Sequence, residues 1–515
     1  MITRLRPLAA ALVLLTAGFA ADPVPIDWAT VARIREEGLQ RSRVMEYESY
    51  MTDVLGARLT ASQDMRRAQA WVQEEMKRIG LRNVAAEPFM EFGASWDNEY
   101  TSLHLLEPDY SPMVGYPLAH TPGTNGKVTA DVVIADIQTR QQADSLRGNL
   151  AGKAVLSTPQ ARIDMTPLVN GMQRRTEAEL DSLERLLPTP APAAAPRVAN
   201  PDLLTAEQKM AFFKAEGVAA VLESQSGWLG AVRGFSRPGS RNDRWSAAGD
   251  SAVPPIIAIT PEHYNRMYRV VERGIPVTIE LEVRNRIGTA VEQAVNIIGE
   301  IPGSDLKDEI VMIGAHFDTW HASSNATDNT SGTAVVLEAA RILNAIGAKP
   351  RRTIRVALWS GEEQGLWGSR GYVRQHFGDP RDPTVGRKPG YEKLYAYFNQ
   401  DYGPGLYRGI ALQGNEGARR LLSAWMEPFR DWGMTAVSIQ SLCCTDHVPF
   451  DEVGLPGFQF IQDRVPGGGG HSNLDPFEVV PADDLMKNAV IMASYAWHAA
   501  NSEEAMPRET MPPTP

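Results

Sequence analysis

The second half of the chain alternates short apolar runs with stretches of helical periodicity. Apolar residues dominate 309–315, 353–359 and 394–399, and each run ends at polar residues, as buried strands do. From Ser331 onward, apolar side chains recur at three- and four-residue steps, which indicates a helix. This alternation predicts an α/β fold in which a mostly parallel sheet lies between two layers of helices.

The start of the chain has a different pattern. Residues 27–89 are mainly helical in character, and Ser62 can cap a helix whose apolar positions recur until Gly80. Two separate strands are expected next, at 80–89 and 100–106. This part of the chain supplies core packing, and it carries no candidate chemistry of its own.

Residues 117–285 predict a strand-rich module inserted into the α/β domain. Short apolar runs separated by polar turns are typical of such modules. They lie at 128–135, 154–157, 218–222 and 256–259, and an alternating run follows at 277–283. Four prolines between 188 and 196 stand in an alanine-rich stretch, which cannot continue a helix and is expected to be an exposed loop.

The first twenty residues predict a secretory signal peptide. Arg4 and Arg6 precede an apolar run at 8–15, and small residues follow up to Ala20. This order is typical of a signal peptide that is cleaved near Ala20. The apolar run is shorter than the roughly 20 residues that span a bilayer, so a periplasmic or secreted protein without a stable membrane anchor is expected.

Composition excludes some partners. The 515-residue chain is 43% hydrophobic and 22% charged, which is an ordinary balance for a globular protein, and its formal net charge is -11. Nucleic acids and anionic membranes attract basic patches, so an acidic chain argues against both. The sequence does not settle the oligomeric state.

The only two cysteines, Cys443 and Cys444, are neighbours. Neighbouring Cα atoms lie about 3.8 Å apart, which is shorter than the usual disulfide span of about 4.4–6.8 Å. The sequence leaves open whether this pair is reduced or closed into a ring. In either state, no disulfide joins distant parts of the chain.

Polar side chains with metal-binding chemistry follow the strands of the second half. They are His316, Asp318, Asp328, Glu362, Glu363, Asp401 and His471. The carboxyl ends of parallel strands meet at one edge of a sheet, where ligands of α/β proteins gather. Two imidazoles and three carboxylates suit zinc, and one bridging carboxylate would let five donors hold two ions. The sequence therefore predicts a two-metal site.

The order of these motifs resembles the M28 family of zinc exopeptidases. The motifs are HFD at 316–318, TDN at 327–329, EE at 362–363, NQD at 399–401 and HSNLD at 471–475. The segment TDHVPFDEVGLPGFQFIQD is most similar to the carboxypeptidase Q-type branch of that family. In the inserted module, LAGKAVLS, FFKAEGVAAVLES and VPPIIAITPEHYNRM resemble a protease-associated domain.

The resemblance implies a role for each candidate ligand. Asp328 would bridge two Zn²⁺ ions. His316 and Asp401 would complete one zinc site, and Glu363 and His471 the other.

Two further carboxylates would act beside the metals. Asp318 would orient His316 through its second ring nitrogen, and Glu362 would be the general base. The implied activity is hydrolysis of peptide bonds in short peptides or chain ends, with an aminopeptidase or dipeptidase favoured. The loop WHASSNATDN lacks the glycines expected before the bridging Asp328.

The family comparison also predicts the domain boundaries. They are a signal peptide at 1–20, a first catalytic part at 21–116, an inserted protease-associated domain at 117–285, the main catalytic part with the metal site at 286–502, and a flexible tail at 503–515. The expected fold class is therefore a zinc exopeptidase fold with a β-rich insert.

Three other functions fit parts of the sequence. A glutaminyl-cyclase-like acyltransferase uses the same fold with one zinc, and an M20-type deacylase or carboxypeptidase has a similar order of ligands with its extra domain placed later. A non-enzymatic receptor or scaffold could also retain the fold. The roles of His447 and His321 stay open, because a structural hydrogen bond fits them as well as a contact with substrate.

Overall fold

One large sheet runs through the described part of the chain and carries the candidate site at one edge. The structure is a computed structural model that describes residues 23–164, 173–187, 200–379, 382, 384–464 and 470–509. The predicted signal peptide, the proline-rich loop and the end of the predicted tail lie outside these residues.

The helices and strands have the following bounds. The helices are α1 (Trp28–Gln40), α2 (Val44–Ser49), α3 (Gln63–Arg78), α4 (Arg140–Leu146), α5 (Glu177–Glu184), α6 (Ala206–Ala215), α7 (Ala247–Ser251), α8 (Pro261–Glu272), α9 (Ser331–Ala345), α10 (Trp367–His376), α11 (Arg419–Met426), α12 (Val448–Asp451) and α13 (Ala482–Asn501). The strands are β1 (Arg82–Glu107), β2 (Ser111–Pro112), β3 (Gly115–Pro117), β4 (Val128–Ile134), β5 (Ala154–Leu156), β6 (Ile163–Asp164), β7 (Ala220–Glu223), β8 (Gly227–Trp228), β9 (Ile256–Ile259), β10 (Thr278–Ile301), β11 (Leu306–His316), β12 (Arg352–Trp359), β13 (Leu394–Asn399), β14 (Tyr407–Ala411), β15 (Ala436–Ser438) and β16 (Gly457–Gln462).

The centre of the sheet is parallel, and its strand ends are in register. Strand order is β15-β14-β16-β13-β11-β12-β10-β4-β5-β7-β9-β3. His316 at the end of β11 pairs with Trp359 at the end of β12, and Gly314 pairs with Asn399 at the end of β13. The residues that follow these three strands therefore emerge side by side at one edge.

Helices cover both faces of this sheet, which confirms the predicted α/β class. On one face, α9 and α13 pack into the main hydrophobic core with α1, α2 and α3. On the other face, α10 and the residues around Phe450 and Leu455 form a second core with Met312 and Trp359. Helix α3 begins where the sequence predicted, because the Ser62 side chain accepts a hydrogen bond from the Met65 amide at 3.0 Å.

The two strands expected at 80–89 and 100–106 are one 26-residue strand, β1, and the prediction of two elements was wrong. β1 pairs antiparallel with β10 over almost its whole length, so the two form a long ribbon. Several bulges interrupt the pairing, including one near Gly93. Much of the ribbon is exposed, and polar residues therefore do not end the strand as they would inside a core.

The ribbon leads from the central sheet into the inserted region, which has its own packing. There β4, β5, β7 and β9 pair in parallel, and two hydrophobic clusters lie on the two faces of this part of the sheet. The region holds helices as well as strands, because α4, α6 and α8 cover its sheet. Its identity as a protease-associated domain stays a prediction.

Helix α5 lies against β15, although in sequence it belongs to the inserted region, and Gln173 before it pairs with Arg464 in the second half of the chain. We call residues 173–187 the strap. Among the described residues, no helix is both long and apolar enough to cross a membrane.

Candidate metal centre

His316 ends strand β11 and points its ring into a cluster of carboxylates. Its Nδ1 donates to the backbone carbonyl of Asp318 at 2.9 Å, which fixes the ring and leaves Nε2 facing the strand ends. Nε2 lies 3.2 Å from Oδ1 of Asp328 and 3.7 Å from Oδ1 of Asp401. These three side chains form one set of donors.

A second set lies on the other side of Asp328. Nε2 of His471 is 3.1 Å from Oδ2 of Asp328 and 2.8 Å from Oε2 of Glu363. Asp328 is therefore shared, with one oxygen facing each histidine. In each set, the three donor atoms lie within 4.8 Å of one another, which is compact enough for a single ion. The structure brings together all five side chains that the sequence proposed as ligands.

Asp318 acts differently from the sequence expectation. Its Oδ1 is 3.9 Å from Nδ1 of His316, too far for a hydrogen bond, so the carboxylate does not orient that ring directly. Instead, Oδ1 accepts from the backbone N–H of Glu362 at 3.1 Å and Oδ2 from that of Glu363 at 3.2 Å. Thr60 donates to Oδ2 as well. Asp318 therefore holds the glutamate turn in place, and its backbone carbonyl orients the histidine.

Asp475 is a functional residue that sequence reasoning did not assign. Its buried carboxylate accepts from the amides of Thr327 at 2.9 Å and Asp328 at 3.2 Å, and thereby fixes the loop that carries the shared ligand. Its place in the HSNLD motif, four residues after His471, was the one available signal. Burial raises the pKa of Asp475 to about 6, although the two amides oppose that shift.

The loop before Asp328 forms without the expected glycines. Asn325 adopts the left-handed conformation at φ 53°, which asparagine tolerates better than most residues. Its side-chain amide donates to the carbonyls of Trp320 and Ser323, which closes the turn. The peptide bond that follows Asp328 is cis.

Gly470 leaves the space that the shared carboxylate occupies. A Cβ at this position would lie 2.8 Å from Oδ2 of Asp328, closer than nonbonded atoms approach. The residue that follows, His471, adopts a positive φ of 60°. The close passage of the chain at Gly470 therefore sets the distance between His471 and the shared carboxylate.

The donor sets fit a pair of divalent cations. Nε2 of His316 and Oε1 of Glu363 are buried and have no hydrogen-bond partner among the described residues, as expected of atoms that bind a metal. Burial opposes a charge on His471, yet Glu363 and Asp328 raise its pKa to about 11. The carboxylates of Glu362 and Asp401 likewise overcome burial and raise the pKa of His316. The cluster therefore stabilises positive charge at both histidines.

Glu362 belongs to neither donor set, although it lies beside them. Its Oε2 is 3.9 Å from Nε2 of His316. Burial, together with the charges of Asp401 and Glu363, raises the pKa of Glu362 well above its ordinary value. A carboxylate that gains a proton more readily than in water is suited to accept one during a reaction.

A cleft of about 620 Å³ opens above the two donor sets. Its walls include Arg241, Tyr402, Cys444 and Arg464, and neither arginine was singled out from the sequence. Cys443 and Cys444 are joined by a disulfide, so the ring-closed alternative is the one that the structure contains. The cleft could hold a small ligand against the carboxylates.

The two ambiguous histidines are buried and carry low pKa values. Burial lowers the pKa of His321 and of His447 to about 4, so both rings are neutral near pH 7. His321 contacts the backbone carbonyl of Pro117 at 2.7 Å, and His447 contacts that of Leu442 at 3.0 Å. Neither belongs to a donor set, and each has a structural hydrogen bond.

Comparison of this chain with known proteins finds metallopeptidases. Residues 296–505 match the profile described as "Peptidase family M28". Carboxypeptidase Q of Mus musculus is 24% identical over 479 residues, covering 92% of this chain and 88% of the relative, and that of Homo sapiens is 23% identical over 475 residues with the same coverage.

Solved structures share the fold. A peptidase M28 precursor from Shewanella amazonensis superimposes with a TM-score of 0.65 at 21% identity, covering 95% of this chain and 98% of that one. BSAP, a zinc aminopeptidase from Bacillus subtilis, gives a TM-score of 0.56 at 17% identity, covering 89% of this chain and 95% of that one. The likeness extends over both the catalytic part and the inserted region.

Proposed function

We propose, from the match of residues 296–505 to the peptidase family M28 profile, that this chain is a di-zinc exopeptidase acting on short peptides or peptide ends. The family is one of metallo-exopeptidases, and a zinc aminopeptidase is among the proteins that share the fold. The observation that carries the proposal is the pair of three-donor sets that share Asp328.

The five ligands divide between two ions. His316 and Asp401 would hold one zinc, Glu363 and His471 the other, and Asp328 both. Bound zinc supplies a Lewis acid for the scissile carbonyl and makes water far more acidic than it is in bulk.

Glu362 would move the proton. Its carboxylate lies beside the donor sets and is not required by either. It accepts a proton from the attacking water and returns it to the leaving amine, which is the usual role of a general base near a hydrolytic metal site. Asp318 keeps this carboxylate in place, because it binds the backbone N–H of Glu362 at 3.1 Å.

The proposal includes export and a preference for free amines. The pattern of residues 1–20 supports a cleaved signal peptide, and hence a periplasmic or secreted enzyme. The acidic residues around the metals offer partners to the free amine of a substrate, which favours an aminopeptidase or a dipeptidase.

A substrate screen tests this function. The protein is stripped of metal with a chelator, reloaded with zinc, and offered dipeptides, longer peptides with free amines and the same peptides with blocked amines. We expect hydrolysis of free-amine substrates only, and two equivalents of zinc by metal analysis. Absence of hydrolysis with two zinc ions bound, or full activity with one, would contradict the proposal.

A further inference from the structure

The strap residues 173–187 fasten a part of the inserted region to the catalytic part, next to the metal cleft. Gln173 and Arg464 exchange two backbone hydrogen bonds, at 3.0 and 3.2 Å. Arg174 reaches two buried carboxylates, Asp484 at 2.9 Å and Asp463 at 3.0 Å. Residues separated by almost 300 positions thus become neighbours at the rim of the site.

Arginines at this junction have different partners. Arg174 and Arg408 pair with the buried carboxylate of Asp463. Arg464 and Arg175 have no carboxylate oxygen within 4.0 Å of their guanidinium groups in the described chain. Arg175 donates through Nε to the carbonyl of Gln462 at 2.8 Å, which fixes its side chain and leaves its terminal nitrogens available. Arg174 and Arg408 therefore anchor the junction. Arg175 and Arg464 make no direct ion pair, although the more distant charge of Glu179 acts on both.

The unpaired arginines face a cavity that adjoins the metal cleft. This second cavity, of about 160 Å³, is lined by both Arg175 and Arg464 and by apolar side chains that include Leu183 and Phe460. Arg464 and Tyr402 line the metal cleft as well, so the two spaces meet there. Both guanidinium groups border the same small cavity, and burial together with the like charge of Arg464 lowers the pKa of Arg175.

We propose that Arg464, supported by Arg175, binds a carboxylate of the peptide substrate and thereby selects substrates with an anion close to the scissile bond. Guanidinium groups bind carboxylates through two parallel charge-assisted hydrogen bonds, and such an anion would relieve the repulsion between the two arginines. The carboxylate is either the free chain end of a dipeptide or an acidic side chain next to the cleaved bond. This inference rests on the proposed peptidase function and names the substrate chemistry of that site.

The test compares three substrates of the zinc-loaded enzyme. They are leucyl-alanine, its C-terminal amide, and the C-terminal amide of leucyl-aspartate. Arg464→Ala should raise KM on the order of 10- to 100-fold for the substrate whose carboxylate is bound, with kcat changed less than about threefold and the neutral amide unaffected. An effect confined to leucyl-alanine assigns the chain end, and one confined to the aspartate amide assigns the side chain.

Two further variants separate binding from structure. Arg464→Lys retains the positive charge but cannot form two parallel hydrogen bonds to a carboxylate, so it should recover part of the affinity that Arg464→Ala loses. Arg273→Ala removes an exposed arginine at the end of α8 and should change nothing. The proposal would be overturned if Arg464→Ala had the wild-type KM for every substrate, or if its KM rose by the same factor for all three.

A binding measurement does not depend on turnover. Saturation-transfer NMR with N-acetylalanine and with its amide reports recognition of the carboxylate alone. We expect a signal for the acid with the wild type and none with Arg464→Ala; absence of a signal with the wild type would also overturn the proposal. If the wild type binds the acid but hydrolyses no peptide after zinc is restored, the proposed function fails while the carboxylate site stands.

Discussion

Glu362 and Glu363 are adjacent in the chain, yet their carboxylates face different partners. Oε2 of Glu363 lies 2.8 Å from His471, inside a donor set, whereas Glu362 is no member of either set. The two amides are held by the two oxygens of Asp318, which keeps the turn rigid and sends the side chains in different directions. One carboxylate is therefore available for metal and the other for a proton.

This division predicts opposite results from two isosteric substitutions. Glu362→Gln should bind two zinc ions but lower kcat by about 10²–10⁴, because an amide cannot accept the proton. Glu363→Gln should lose zinc, because the neutral amide is a poor ligand. Zinc content and kcat of both variants check this. Full turnover by Glu362→Gln would contradict the assignment of the base.

Gly470 gives a second prediction, on metal affinity. Gly470→Ala places a methyl group 2.8 Å from Oδ2 of Asp328, so that carboxylate or the His471 loop must move. We expect zinc affinity to fall by about 10–100-fold, as it does when ligands lose their orientation. Competition with a chelator measures the change. Gly227→Ala is the control, because its Cβ would meet only Ala231 at 3.8 Å.

Glu48 predicts a pH dependence away from the metals. Both its oxygens are buried without a hydrogen-bond partner among the described residues, and burial raises its pKa well above the ordinary value of 4.5. The folded protein therefore retains a proton that the unfolded chain releases, so this group's contribution to stability decreases as pH rises from 4.5 towards the folded pKa. The slope is about 1.4 kcal/mol per pH unit.

Glu48→Leu should consequently stabilise the protein more at pH 8 than at pH 5, with a gain that grows by up to about 1.4 kcal/mol per pH unit. Denaturant unfolding at both pH values measures the difference in the free energy of unfolding between variant and wild type. The contributions of the other titrating groups are the same in both proteins and cancel in this difference. Glu48→Gln is the matched control, since it also removes the titration but keeps a polar group. An equal gain at the two pH values would show that Glu48 is ionised in the fold.

The sequence predicted which metal-binding side chains meet, but not what holds them. His316, Glu363 and Asp401 were recognisable because each follows an apolar strand at the expected distance. Asp475 acts on backbone amides, and Gly470 acts through the side chain it lacks. Such roles depend on the path of the folded chain, and no spacing or composition reveals them.

At the scale of elements, the strap is the feature that joins distant segments. Its helix α5 carries a complete capping box between Thr176 and Glu179, so the helix has local stability of its own. Its attachment, however, depends on Arg174 and the buried carboxylates of Asp463 and Asp484. Arg174 is about half exposed, which moderates the energy of these ion pairs.

Arg174→Ala should loosen the strap without unfolding the enzyme. We expect a loss of about 1–2 kcal/mol in the free energy of unfolding, because two buried carboxylates lose a partner that was half exposed. Amide exchange in residues 173–187 should accelerate, while exchange in α9 stays unchanged. Arg185→Ala removes an exposed ion pair at 3.4 Å and should leave exchange as in the wild type. Unchanged exchange in Arg174→Ala would show that the backbone pairing with Arg464 is sufficient.

Strands and helices were predictable where burial makes the pattern of apolar and polar residues regular, and less so elsewhere. Strands β11, β12 and β13 were predicted because their apolar runs lie in the core. The ribbon strand β1 was predicted as two pieces, since the five buried residues 92–96 in its middle do not alternate and bulges interrupt the pairing on both sides of them. The attachment of the strap had no signal at all, because it depends on contacts between residues about 290 positions apart.

At the scale of the whole molecule, the inserted region contributes directly to the walls of the metal centre. The Gly234 amide donates to the carbonyl of His471 at 3.0 Å, and the Phe235 ring lies edge-on to the His471 ring at 5.5 Å between centroids. Arg241 donates to the carbonyl of Glu363 at 3.3 Å. Two ligands of one proposed zinc site therefore depend on residues from the inserted region.

The long ribbon of β1 and β10 also connects the hydrophobic core of the inserted region to the main hydrophobic core. β10 contributes Ile297 and Ile301 to the main core and Ile279 and Leu281 to a core of the inserted region. Neither core can be dissolved without freeing part of a strand that the other requires. Cooperative unfolding is expected when two cores share their elements in this way.

We therefore expect calorimetry of the zinc-loaded protein to show one unfolding transition. Removal of zinc by a chelator should shift the whole transition downward, because a ligand at 100 times its Kd contributes about 2.7 kcal/mol to the folded state. Zinc restored in excess of the chelator is the control. Two resolved transitions, of which only one responds to zinc, would show that the inserted region unfolds independently of the metal centre despite the shared strands and the contacts at His471.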